Sequence, residues 1–347
     1  MTERKRQPIV SLWIGTANQG YAPYAMEEIR KVIPGCGFKP LSPGEVFWME
    51  SPLDRAATIS SLLDSELVFL RHIQPIEASL DAAGDSSDLE KLADVLRGAL
   101  PFFQGKKAAV HLRKANGAIF SYGASETKAA LETVLAEAGG EPSVQHPEAI
   151  FSIYASGDKL YAGFATPYDM MSDWPGGAIR FQREEGQISR AKFKLLEAEK
   201  TFGLDYSGFT QAIDIGAAPG GWTSLLLERG VKVTAVDPAD LHPSLQGHPA
   251  LRHLKQNASA IKLDKGAYDL LVCDMSWSPM QMSRLVLDLK DALVPGAKAV
   301  ITVKLMHRKP LQSIREVKER LGTAFVILRS KQLFHNREEI TLFAEKK

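Results

Sequence analysis

The stretch Ala-Ile-Asp-Ile-Gly-Ala-Ala-Pro-Gly-Gly-Trp, residues 212–222, decides the fold. It begins as an apolar strand, passes through a turn of small residues, and continues at residues 223–229 with the apolar spacing of a helix. A strand, a glycine-bearing turn and a helix open the ligand-binding unit of doubly wound α/β folds, where glycines let the backbone approach a ligand closely. The stretch therefore predicts an α/β domain with a ligand site at this turn.

Two neighbouring residues indicate which kind of ligand the turn accepts. Asp237 ends the next apolar run, roughly 20 residues after Gly216, where an acid usually holds a ribose diol. The turn does not read Gly-x-Gly-x-x-Gly, and Pro219 lacks the N–H group that a pyrophosphate would require. A ligand that has a ribose but no phosphates is therefore favoured over NAD, and S-adenosylmethionine fits that description.

Composition limits the class of protein. The chain has 347 residues, 45% hydrophobic and 24% charged, with a formal net charge of +1. There is no membrane-length apolar run and no apolar segment behind the basic N-terminus, so we expect a cytoplasmic protein without membrane association. Two cysteines form no disulfide framework, the eight histidines lack metal-ligand spacing, and no metal is expected. With so small a net charge, any binding of nucleic acid must depend on local basic patches. The oligomeric state stays open, with a monomer favoured.

The pattern of apolar residues divides the chain into parts. Residues 1–83 predict a ferredoxin-like α+β domain, with strands that include 8–14 and 67–73, and residues 84–167 a second α+β unit with a hairpin over 150–164. Residues 168–185 have the composition of a linker. Residues 186–347 alternate seven strands with helices, one of them over 280–293, and predict a mostly parallel seven-stranded sheet of Rossmann-like type.

Four polar positions of the last part point to chemistry. Asp274 and Lys304 each end an apolar strand, Lys194 lies at the front of a helix, and Glu339 (or Glu338) precedes the final strand. Taken singly, such residues are most often solvated surface groups. Because strand ends of one sheet converge on one edge, two lysines and two carboxylates gathered there suit the deprotonation of a weakly acidic hydroxyl.

These motifs resemble a known family. Asp-Ile-Gly-Ala-Ala-Pro-Gly-Gly-Trp, Cys-Asp-Met, Val-Lys-Leu and Arg-Glu-Glu-Ile-Thr-Leu are similar to those of FtsJ-like RNA ribose 2′-O-methyltransferases, and most resemble the RlmM branch. The resemblance implies a class I methyltransferase domain that acts with S-adenosyl-L-methionine on a cytidine of 23S ribosomal RNA, the large-subunit RNA, and an N-terminal THUMP-type RNA-binding module over residues 84–167. It also implies a catalytic tetrad of Lys194, Asp274, Lys304 and Glu339, with Lys304 as the base.

The same resemblance implies a set of cofactor-binding residues. They are Ser189, Gly216, Ala218, Pro219, Gly220, Gly221, Trp222, Asp237, Asn257 and Asp274. Asn257 stands where the family usually has Asp for the adenine contact, and an Asn can still hydrogen-bond an amino group.

Other interpretations stay open at this point. A THUMP-bearing enzyme that methylates tRNA or a base, and a non-catalytic RNA-binding assembly factor, are the alternatives. Cys273 as the nucleophile of a cytosine C5-methyltransferase is disfavoured, because strand alternation points it away from Asp274. Candidate RNA contacts are Arg180, Arg183, Arg190 and Lys192, which equally suit a solvated face because glutamates alternate with them, and the 307–309 loop. Trp277 suits either stacking on a base or packing over the cofactor.

Overall fold

The computed structural model describes residues 10–137, 139–306 and 309–347, and the chain forms two compact units, residues 1–179 and 180–347. The strand predicted over 8–14 begins at residues outside the described ranges; the observed strand is Ser11–Thr16.

The first unit opens with a four-stranded antiparallel sheet of strand order β2-β3-β1-β4. Its elements are β1 (Ser11–Thr16), α1 (Ala22–Val32), β2 (Gly37–Ser42), β3 (Val46–Ser51), α2 (Arg55–Leu63) and β4 (His72–Pro75). This β-α-β-β-α-β order is the order of ferredoxin-like folds.

The strand predicted over 67–73 is wrong for most of its length. Residues 67–71 are buried but irregular, and only β4 is a strand. The backbone N–H groups of Val68 and Phe69 donate instead to the buried carboxylate of Glu28, at 3.1 and 2.9 Å. Because a side chain satisfies these donors, the apolar run is buried without pairing in a sheet.

A five-stranded sheet of order β5-β9-β8-β6-β7 completes the first unit. Its elements are β5 (Ala78–Asp81), α3 (Ser87–Gly98), α4 (Leu100–Phe103), β6 (Lys107–Lys114), α5 (Ala124–Glu137), β7 (Glu141–Pro142), β8 (Ala149–Ser156) and β9 (Lys159–Ala165). The predicted hairpin is confirmed as the β8–β9 pair. Strand β5 pairs with β9 although it precedes residue 83. The division into ferredoxin-like and THUMP-like domains stays a prediction.

The second unit contains a seven-stranded sheet of order β12-β11-β10-β13-β14-β16-β15. Neighbours from β12 to β14 are parallel, and β16 is antiparallel to both strands that flank it, β14 and β15. Its elements are α6 (Lys192–Phe202), β10 (Gln211–Ile215), α7 (Gly221–Glu228), β11 (Lys232–Val236), β12 (Leu251–Leu254), β13 (Tyr268–Cys273), α8 (Pro279–Asp288), β14 (Leu293–Lys304), α9 (Pro310–Leu321), β15 (Phe325–Lys331) and β16 (Glu339–Lys346). The predicted mostly parallel, Rossmann-like sheet is confirmed.

The helix predicted over 280–293 is too long. Helix α8 ends at Asp288, a single 3-10 turn follows over Lys290–Ala292, and Leu293 already pairs with Tyr268 in the sheet. The run of leucines keeps helical spacing, but pairing with β13 takes its last member into a strand.

Asp214 is the exception in the apolar strand β10. Its side chain is buried and accepts a hydrogen bond from the Thr223 hydroxyl at 2.6 Å. Burial, reinforced by the charges of Asp274 and Asp237, raises the pKa of Asp214 to about 7 despite that hydrogen bond. Because Asp214 keeps its proton up to about neutral pH, its hydrogen bond to Thr223 joins β10 to helix α7 without placing a full negative charge in the core.

Candidate active site

The turn after β10 and the loop after β13 meet at the carboxyl edge of the sheet. Strands β10 and β13 are neighbours, and the chain runs outward from them in opposite directions, so the crevice between them is the topological switch point where open α/β sheets bind ligands. Gly216 has φ +77°, and a Cβ there would lie 2.6 Å from Met275 Cγ. Glycine is therefore required at this position by both backbone conformation and space.

The start of helix α7 packs against the start of α6. Gly220 precedes α7 with φ +110°, and a Cβ on Gly221 would clash with the Ser189 hydroxyl. The Trp222 indole, predicted to serve the cofactor, is buried in the core and donates from Nε1 to the Ala191 carbonyl at 2.8 Å. This hydrogen bond joins α6 to α7 and thereby sets the position of Lys194 at the start of α6.

Asp237 lies at the end of β11, where the sequence places a ribose contact. Its Oδ2 accepts from the Ala218 N–H at 3.1 Å and its Oδ1 from the Ala239 N–H at 2.8 Å. Each carboxylate oxygen has a second lone pair, so both can still accept from a diol. Asn257 follows β12 and is exposed at the same edge. This donor and acceptor set fits a nucleoside that has a free ribose diol.

Three of the four predicted tetrad residues form one ion-pair network. Lys194 Nζ lies 3.1 and 3.2 Å from the two Asp274 carboxylate oxygens and 2.5 Å from Glu339 Oε1. Asp274 follows β13, and Glu339 opens the antiparallel β16, so all three meet at the carboxyl edge of the parallel strands. Of the two adjacent glutamates, Glu339 and not Glu338 has a carboxylate within 4.0 Å of the Lys194 ammonium group among the described residues.

Thr302 belongs to this network, although it is not among the residues predicted for the site. Its hydroxyl donates to Asp274 Oδ1 at 2.8 Å, and its side chain is buried. Thr302 precedes Lys304 by two residues on β14, and alternation along a strand places the two side chains on the same face. The two-residue spacing from Lys304 was the feature of the sequence that could have identified Thr302.

The network raises the pKa of Lys194. Burial alone would lower it, but the negative charges of Asp274 and Glu339, with their hydrogen bonds, outweigh burial. Lys194 therefore stays an ammonium ion that orients the two acids, and it is a poor proton acceptor.

Lys304 differs from Lys194 in its surroundings. It ends β14, opposite Glu339 in the β14–β16 register, and its side chain is exposed. Among the described residues, no carboxylate lies within 4.0 Å of its ammonium group. Both lysines line one open cleft of about 940 Å³, together with Glu338 and Glu339.

The remaining wall of this cleft is basic and aromatic. Arg190, Phe193, His335 and Arg337 line it, beside Ser276. Arg190 is a predicted RNA contact and Arg337 begins the Arg-Glu-Glu-Ile-Thr-Leu motif, whereas Phe193 and His335 were not predicted, because no motif marks them.

The other candidate RNA contacts differ in how far their side chains are exposed. Lys192 is buried, with its ammonium 2.8 Å from both Glu184 and Glu228, so its prediction as an RNA contact is wrong. Arg180 and Arg183 are exposed, and Trp277 is partly buried. Of the 307–309 loop, His307 and Arg308 lie outside the described residues, and Lys309 is exposed.

Cys273 does not suit nucleophilic chemistry. Its thiol is completely buried, and burial raises its pKa far above the ordinary value. The described residues contain no cluster of three metal-ligating side chains, and none of their helices has the length and apolarity to cross a membrane.

Comparison with known proteins identifies the class. Residues 187–325 match the FtsJ-like methyltransferase family, and this part holds the ligand turn, Lys194, Asp274 and Lys304. The second unit is thus an S-adenosyl-L-methionine-dependent methyltransferase domain.

The whole chain has relatives of similar length. Ribosomal RNA large subunit methyltransferase M of Laribacter hongkongensis is 31% identical over 349 residues, covering 93% of this chain and 94% of the relative. The protein of that name from Alkalilimnicola ehrlichii is 30% identical over 290 residues, covering 80% and 79%. The chain belongs to the ribosomal RNA large subunit methyltransferase M family.

Proposed function

We propose that this protein methylates the 2′-hydroxyl of a ribose in large-subunit ribosomal RNA, with a cytidine as the target nucleotide. The names of its relatives support the RNA class, and the resemblance of its motifs supports the 2′-hydroxyl and the cytidine. The observation that carries the chemistry is the contrast between two lysines in one cleft, one bound by two carboxylates and one with no carboxylate within 4.0 Å among the described residues.

Lys304 is the base in this proposal. A 2′-hydroxyl is weakly acidic, so the group that takes its proton needs a free amine lone pair close to it. Lys194 is held as a cation by Asp274 and Glu339 and does not supply that lone pair. Lys304 lies in the same cleft without such a partner, which makes it the better proton acceptor of the two.

The other residues position the reacting groups. Asp274 receives Lys194 and Thr302 at the switch point, so its carboxylate is fixed beside the turn at Gly216. S-adenosyl-L-methionine supplies the methyl group when bound, and we assign its ribose to Asp237 and its adenine to Asn257. With the acceptor hydroxyl at Lys304 and the cofactor at the turn, orientation contributes much of the rate.

The chemical identity of the product tests this proposal. Large-subunit RNA would be incubated with the protein and methyl-labelled cofactor, then hydrolysed with alkali, which needs a free 2′-hydroxyl at each cleaved linkage. The proposal predicts label in alkali-resistant dinucleotides. Label recovered on a base in single nucleotides would instead show base methylation.

Two further measurements separate the alternatives. Calorimetry with S-adenosyl-L-methionine is expected to show binding, and its absence would favour a non-catalytic assembly factor. Transfer to tRNA in place of ribosomal RNA would favour a THUMP-bearing tRNA enzyme. We keep the THUMP-type assignment of residues 84–167 as part of the proposal, together with a cytoplasmic, monomeric protein.

A further inference from the structure

The cleft contains a histidine that the proposed reaction does not use. His335 lies in the turn before β16 and lines the cleft beside Glu338 and Glu339. Its Nδ1 lies 2.7 Å from Oε2 of Glu197, a buried residue of helix α6. The same carboxylate accepts from the backbone N–H groups of Phe334 and His335, at 2.7 and 2.9 Å.

These hydrogen bonds fix the orientation of the imidazole ring and determine which of its nitrogens carries the proton. An ionised carboxylate only accepts hydrogen bonds, so Nδ1 carries the proton towards Glu197 and Nε2 of the neutral ring is an acceptor. Among the described residues, Nε2 has no hydrogen-bond partner. Phe181 and Phe193 pack against the ring at centroid distances of 5.5 and 5.4 Å. The His335 side chain is 17% exposed and lines the cleft, while its Nδ1 edge faces the buried Glu197.

The residue that holds His335 in place lies on the same helix as Lys194 of the tetrad. Glu197 follows Lys194 by three residues on α6, and residues three apart share one face of a helix. Two contacts thus join this face to the turn before β16: the ion pair of Lys194 with Glu339, and the hydrogen bond of His335 with Glu197. The turn is further held by Asn336, whose buried side chain accepts from the Leu333 N–H at 2.8 Å. An acceptor so rigidly placed beside the reacting groups is suited to recognition.

We propose that His335 contacts the target nucleotide, and that its Nε2 accepts a hydrogen bond from the exocyclic amino group of the base. Phe193 supports the ring, and Arg190 and Arg337, which line the same wall, face the flanking phosphates. This inference rests on the proposed function, because it assumes that the nucleotide in the cleft is the methylated one. It makes His335 a specificity residue for bases that carry an amino group, such as cytosine, against uracil.

The test uses the full chain and a matched pair of substrates. RNA fragments spanning the methylated site would carry either the native cytidine or a uridine at the target position, and kcat/KM for methyl transfer would be measured with each. His335→Asn retains an amide N–H at the position of Nδ1, which preserves the bond to Glu197, but it has no atom at Nε2. Loss of one neutral hydrogen bond lowers kcat/KM about tenfold.

The proposal expects wild type to prefer cytidine by about tenfold and His335→Asn to lose that preference. The variant would act on the two RNAs at similar rates, through loss of rate on the cytidine RNA, with unchanged cofactor affinity by calorimetry. A variant with the full wild-type preference for cytidine would overturn the proposal.

His335→Gln supplies a second readout if His335→Asn folds poorly. Its amide can reach the position of Nε2 and present either its oxygen to the amino group of cytidine or, after rotation, its NH2 group to O4 of uridine. We therefore expect the preference for cytidine to fall, and an unchanged preference would contradict the assignment. If wild type itself methylates no ribose, the proposed function fails first, and the two failures are distinguishable.

Discussion

The Lys194 network makes a quantitative prediction about stability. Lys194→Met keeps the length and apolar stem of the side chain but removes the ammonium that Asp274 and Glu339 share. The two carboxylates then remain close to each other at the edge of the sheet, without their common cation. We expect the free energy of unfolding of the second unit to fall.

The magnitude follows from the geometry and the exposure. A hydrogen bond to a charged group contributes about 1.5–3 kcal/mol, and breaking a fully buried ion pair costs about 3–5 kcal/mol. Here the three side chains are 17–20% exposed, so solvent screens part of the charge left behind. We therefore expect a loss of about 2–3 kcal/mol at pH 7.5.

The sign of the pH dependence supplies a second test of the same variant. Because the folded pKa of Lys194 is raised, its stabilisation is complete below the unfolded pKa and is lost as pH rises through the folded value. The difference between wild type and Lys194→Met should therefore be constant near neutrality and shrink above about pH 10.4.

The assay is urea unfolding of the full chain, with peptides of β13 and β16 followed by hydrogen exchange so that the second unit is observed by itself. Lys255→Met is the matched control, since its partner is Asp240 and the two side chains are 57% and 75% exposed. An exposed pair contributes about 0–1 kcal/mol. Equal destabilisation of the two variants would refute the reasoning.

Two buried groups give further predictions from their pKa values. Burial lowers the pKa of His111 to about 4, so the unfolded chain binds the proton first and this histidine should lower the stability of wild type by about 1.6 kcal/mol between pH 6.5 and pH 5. His111→Gln should lack this component, and identical pH slopes in urea unfolding would contradict it. The raised pKa of Asp214, about 7, has the opposite effect, because the unfolded chain ionises first as pH rises from about 4 to 7. Asp214→Asn, which can still accept from Thr223, should therefore gain stability relative to wild type over that range, and a pH-independent difference would count against the assignment.

The general plan of the second unit was predictable because it follows from local patterns. Apolar runs mark β10, β11, β13 and β14. Because the carboxyl ends of parallel strands lie at the same edge of a sheet, a polar residue at the end of any of these strands is expected at that edge. This is why Asp274 and Lys304, at the ends of β13 and β14, could be expected together, whereas the family resemblance added Lys194 and Glu339. The glycine turn and Asp237 were likewise visible as spacing.

The parts that sequence patterns missed depend on side chains that satisfy distant backbone groups. Glu28 draws residues 68–69 out of a sheet, and Glu197 fixes the backbone and ring of His335. Lys192 resembles an exposed basic residue, but the fold buries it between two acids. Neither periodicity nor charge spacing carries information about such long-range pairs.

The central claim is that Lys304 removes the proton of a ribose 2′-hydroxyl, and one measurement tests it most directly. Methyl transfer to large-subunit RNA would be compared for wild type, Lys304→Ala and the control Lys298→Ala, whose lysine lies on the same strand and pairs with Glu345. A general base contributes about 10²–10⁴-fold, so the account predicts at least a hundredfold loss in Lys304→Ala, with cofactor affinity by calorimetry nearly unchanged and the control close to wild type. Transfer by Lys304→Ala within tenfold of wild type would contradict it.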